Sequence, residues 1–134
     1  YDEFSGGIFT PQAIRDFLHY AYENWAAPAP TYVLLIGDAT QDYKDNLHDG
    51  TVTYVPSMNI ESTLFGEVSS DNWFVSVAGS DVLPDIFVGR LVAQSPAEAA
   101  SMVQNLIRYD QTPPGSAWNT RALLVADDDE TPRL

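Results

Sequence analysis

Two largely apolar stretches constrain this chain more than anything else in it. "YVLLI", Tyr32–Ile36, and "DIFVGRLV", residues 85–92, do not alternate between apolar and polar residues. A strand with one wet face alternates, so these runs predict strands buried on both faces, as in a parallel sheet. Parallel strands need crossover connections that lay helices on the sheet, which predicts a three-layer α/β sandwich. Ligands of such sheets sit beyond the carboxyl ends of the strands. "LLIGD" and "LLVADDDE" both deliver acids to that edge.

The helical signals agree with this. Ile14, Phe17, Leu18, Ala21, Tyr22 and Trp25 recur at helical spacing, with Thr10 in the N-cap position and Pro11 in the first turn. "APAP", residues 27–30, ends that helix. A second helix is announced by Ser95, Pro96 and Glu98, a capping box in which Ser caps and Glu reaches back. Ala99, Met102, Val103 and Leu106 form its apolar stripe, and "TPPGS", residues 112–116, breaks it. Residues 51–56 and 71–79 read as strands, and a final strand runs from about Arg121 to Ala126. Residues 57–70 carry no clear pattern.

Charge narrows the partners. Nineteen acids against six Lys and Arg give a net charge of −13. That disfavours nucleic acid and anionic membrane surfaces. No apolar run approaches the ~20 residues of a membrane span, so membrane insertion is not expected. With no Cys in the chain, disulfides, thiolate metal sites and a Cys nucleophile are all excluded from it. The first residue is Tyr1 rather than Met, which reads as a piece of a longer or processed protein.

Few residues are candidates for chemistry. Asp127, Asp128, Asp129 and Glu130 follow the last apolar run and suit a cation, a basic substrate or the orientation of a catalytic His. Asp38, Asp42, Asp45, Asn46 and Asp49 crowd one loop. Calcium takes 6–8 oxygen ligands, so Asp38, Asp42 and Asp45 are its candidate ligands, although the spacing is not that of an EF-hand and a solvated turn is the plainer reading. No cofactor is required. His19 reads as a half-exposed helix residue, and His48 sits in the acidic loop without a motif around it. Gly89 suggests close backbone packing. Arg90, one of only six cations, is expected to pair with an acid. No nucleophile elbow, P-loop or dinucleotide-binding glycine motif is present.

Taken together, several segments resemble the gingipain-type cysteine peptidases of family C25. They are "DEFSGGIFTPQAIRDFLHYAYENW", "YVLLIGDATQD", "VPS", "SSDNWFVSVAGSDVLPDIFVGRLV" and "SPAEAASMVQNLIRYD". The block "SD…G.D..PDI.VGR" is the most specific of them. The resemblance implies a caspase-like sandwich of two side-by-side subdomains. In that family the second subdomain supplies a His, in a short H-G motif, and the Cys nucleophile.

On this alignment residues 1–119 correspond to the first, non-catalytic subdomain, and residues 120–134 to the opening strand and loop of the second. The resemblance places an acid near the catalytic His at Asp129, with Asp128 and Glu130 as neighbouring registers. It implies a secreted or surface-bound bacterial peptidase whose partners are the remainder of its own catalytic domain and a peptide substrate. The chain alone would be inert. A sortase-like surface transpeptidase of the same family, or a non-catalytic binding module, would share this first half. A phosphoacceptor receiver also begins with a strand that ends in paired acids. It needs about a hundred residues after them, and here four follow Glu130.

Overall fold

A computed structural model describes residues 1–48, 50–112, 115 and 120–124. The chain divides into two compact units, Tyr1–Met102 and Val103–Leu134. The first holds almost all the regular structure. It opens with a single helical turn, α1 (Asp2–Ser5), followed by α2 (Pro11–Asn24) and strand β1 (Tyr32–Ile36). Strands β2 (Met58–Ser62) and β3 (Gly66–Ser70) precede a second single turn, α3 (Asn72–Val75), and strand β4 (Phe87–Leu91). The last helix, α4 (Pro96–Asp110), begins in the first unit and ends in the second. The fold is mixed α/β, as the apolar runs predict.

β1 and β4 pair in parallel with Tyr32 opposite Phe87, Leu34 opposite Gly89 and Leu35 opposite Arg90. Their inner face is the floor of the core. Leu18 from α2, Leu35 from β1, Phe74 and Val75 from α3, and Val77 and Ile86 form one buried cluster, with Ile14, Tyr22, Val33, Val55, Trp73 and Val88 packed against it.

The expectation that both sheet faces are buried holds for one face only. Tyr32, Leu34, Ile36 and Phe87 on the outer face are 77%, 54%, 48% and 68% exposed, with Tyr32 and Phe87 stacked ring on ring. Apolar sequence on both faces marks a sheet built to be covered twice, and the described residues cover it once. Gly89 lies on that open face. A Cβ there would meet Leu34 Cδ1 at an ordinary 3.8 Å, so close packing does not require the glycine.

The helices follow their sequence signals with small shifts. Thr10 occupies the N-cap of α2 in extended geometry, but its side chain makes no capping bond. The buried stripe of α2 is Pro11, Ala13, Leu18 and Ala21. Phe17 and Trp25 face outward instead, edge to face with each other. At α4 the capping box forms. The Ser95 hydroxyl accepts the Glu98 N–H at 3.2 Å, and the Glu98 carboxylate accepts the N–H of Gln94, one residue before the usual partner. Ala99 and Met102 are half-buried, whereas Val103 and Leu106 are exposed. Residues 121–124 carry no strand, and 125 and 126 lie outside the described residues.

Two stretches read as strands are not strands. Residues 72–75 form the helical turn α3, with the Phe74 N–H donating to the Asp71 carbonyl and the Ser76 N–H to that of Asn72. Successive strand residues point to opposite faces, yet Phe74 and Val75 are both 0% exposed in one cluster. A helical turn brings consecutive side chains into the same core. Residues 51–56 form no ladder because their polar groups are engaged elsewhere. The Tyr54 and Val55 N–H groups both donate to the Asp38 carbonyl, and Pro56 has no N–H to give.

The unpatterned stretch 57–70 holds the antiparallel β2–β3 hairpin, in which Ser62 pairs with Gly66 across a three-residue tip. Gly66 has φ +71°, the left-handed position such tips require. The Ser62 hydroxyl accepts the N–H groups of Leu64 and Phe65 at 3.3 and 3.4 Å.

Gly37 closes β1 in a conformation that L side chains rarely adopt, φ +144°. A Cβ there would sit 2.8 Å from Tyr54 Cβ and 2.9 Å from Val55 Cγ2. Gly37→Ala is therefore expected to destabilise the chain by at least about 2 kcal/mol, from backbone strain and overpacking together. A urea titration against wild type measures it.

Candidate functional site at the carboxyl edge of the sheet

The carboxyl ends of β1 and β4 lie side by side, and the chain leaving β1 is held there by backbone bonds. The Gly37 N–H donates to the Leu91 carbonyl at 2.9 Å, and the Asp38 N–H to that of Ala93 at 3.0 Å. Beyond this edge lies an open crevice of about 270 Å³ lined by Asp38, Ala39, Ser57, Ser69, Asp71, Arg90 and Val92.

Arg90 organises the crevice. Its Nε and Nη2 donate to Asp71 Oδ2 and Oδ1 at 2.8 and 2.7 Å, a bidentate pair. Its Nη1 donates to the carbonyls of Gly37 and Val55 at 3.0 and 2.9 Å. The side chain is 10% exposed and that of Asp71 29%. Arg90 thus has the acid partner its scarcity predicts. It also ties the end of β1, the 51–56 segment and the start of α3 to β4.

The other acids of the "SD…G.D..PDI.VGR" block are structural in the same way. Asp85 Oδ2 accepts the N–H groups of Val77 and Ala78 at 2.8 and 2.7 Å. The matching carbonyls are served from α2: Arg15 Nη2 donates to Ser76 O at 2.8 Å, and His19 Nδ1 to Val77 O at 2.8 Å. Arg15 also lies over the Trp73 ring, 4.7 Å from its centroid. The peptide groups joining residues 76 to 77 and 77 to 78 are therefore satisfied by side chains rather than by a ladder. The sequence hints at this role for Asp85 only through its place before an apolar strand. Asp81 caps its own turn through the Leu83 N–H at 2.9 Å.

The calcium candidates are not gathered into one group. Asp38 accepts the Ala39 N–H and the Gln94 side-chain amide, each at 2.8 Å. Asp42 accepts from the Asn46 amide at 2.8 Å and the Leu47 N–H at 2.7 Å. Asp45 lies 3.6 Å from His48 Nδ1. Among the described residues no three His, Cys, Asp or Glu side chains could share a metal ion. As placed, Asp42 serves its own loop, while Asp38 also holds the Gln94 side chain.

The Leu47 N–H, and then that of Asn46, hold the Asp42 carboxyl below its usual range. A depressed folded pKa contributes to loop order above the unfolded value of about 3.9 and is lost as pH falls through the lower folded value. An NMR titration is expected to show the Leu47 amide shift moving with a midpoint below about 3.9, and that movement should vanish in Asp42→Asn.

No nucleophile, base and orienting acid meet among the described residues. His19 is bound to Val77 and lies 3.3 Å from Glu23, on the flank of α2. His48 is largely exposed. Asp127 to Glu130, including Asp128, Asp129 and Glu130 as candidate orienting acids, lie outside the described residues, as does Asp49.

Two adjacent parallel strands, helices on their inner face and a crevice at their carboxyl edge define an α/β protein of the kind that builds sites on loops beyond the strands. The model of peptidase family C25 matches residues 1–133. The chain belongs to that family, a family of cysteine peptidases. No curated protein and no solved structure matches it.

Proposed function

We propose that this chain is the non-catalytic part of a gingipain-type catalytic domain, secreted or held at the surface of a bacterium, and inert when isolated. The observation that carries the reading is the family match over residues 1–133 of a chain that has no Cys and in which neither His is followed by Gly. The thiolate and its acid–base His then come from a second subdomain, with residues 1–119 as the first subdomain and 120–134 as the bridge to the second. In that caspase-like sandwich the thiolate attacks a peptide carbonyl, and the His moves the proton to the leaving amine. Asp129, or Asp128 or Glu130 in a neighbouring register, orients that imidazole.

The partners in this reading are the rest of the catalytic domain and a peptide substrate. Neither nucleic acid nor a bilayer suits the charge, and no described helix is long and apolar enough to cross a membrane. Calcium enters only as a structural ion on the loop from Asp38 to Asp49. Melting with and without calcium decides that point: a raised midpoint supports the ion, and superposable curves remove it.

The test compares this chain with the longer product of its gene on Arg, Lys and neutral peptide substrates. The expected result is no turnover above blank for the chain alone. The longer product should cleave, and lose cleavage when its nucleophilic Cys is replaced by Ala. Turnover by the 134-residue chain would refute the proposal. A longer product without Cys would leave a binding module. One that joins peptides instead of hydrolysing them would be a surface transpeptidase.

A further inference from the structure

We draw no further inference here: the strongest candidate, the apolar outer face of the β1–β4 sheet formed by Tyr32, Leu34, Ile36 and Phe87, carries nothing because nothing in the structure shows what covers it.

Discussion

Arg90→Met is expected to cost the chain about 3–5 kcal/mol, about a fifth or more of the stability of a typical domain. The side chain is nine-tenths buried and makes four hydrogen bonds, two of them to one carboxylate. Methionine fills most of the volume but leaves Asp71 without its counter-charge and the Gly37 and Val55 carbonyls without donors. Unmade bonds to partly buried groups are the expensive part of such a loss. Arg90→Lys keeps the charge but not the planar fork, so it should fall between wild type and Arg90→Met. Adding Asp71→Leu to Arg90→Met should recover part of the loss, because the pair is then gone rather than broken. Urea midpoints of the four proteins measure this. If Arg90→Met melts with wild type, the hub is not a stabilising element.

The second large effect lies in the core. Phe74→Ala should destabilise by about 3–5 kcal/mol, because it removes a ring that is 0% exposed at the centre of the buried cluster. Phe87→Ala is the control. That ring is 68% exposed and rests only against Tyr32 among the described aromatic contacts, at 5.4 Å between centroids. Its loss should cost below about 1 kcal/mol, the scale of one aromatic pair. Thermal or urea unfolding of the two variants separates them. Equal costs would mean that the outer face is covered in solution.

Much of the architecture is legible in the residues because its signals are local. The apolar runs at Tyr32–Ile36 and 85–92, the proline-led start of α2 and the Ser95–Glu98 box each announce an element within a few positions. What escapes is what depends on distant partners. The amides of Tyr54 and Val55 are taken by Asp38, about sixteen residues earlier, so a stretch with strand propensity becomes none. "NWFV" reads the same whether its apolar residues alternate across a sheet or turn into one core, and only the packing separates the two. The hairpin offers little alternation, and its clearest mark is Gly66.

At the crevice, the scarcity of cations makes a partner for Arg90 foreseeable. That the partner is Asp71, nineteen residues away, is not. The three loop carboxylates illustrate the opposite case. Their composition suggests an ion, while Asp38 and Asp42 accept backbone amides within the loop, which short acidic side chains do readily, and Asp45 lies beside His48.

The bonds made by Arg90 reach 19, 35 and 53 residues along the chain. No single local segment can form them. Each needs a segment distant in sequence to have met β4 first, and we expect these bonds to close late on the route to the native state. Stability held by late contacts acts on the lifetime of the folded chain and not on the speed of its formation. In a stopped-flow chevron the Arg90 variants should therefore shift the unfolding limb upward and leave the refolding limb in place. On that expectation the guanidinium is a lock turned after assembly, and its removal should shorten how long the domain stays shut.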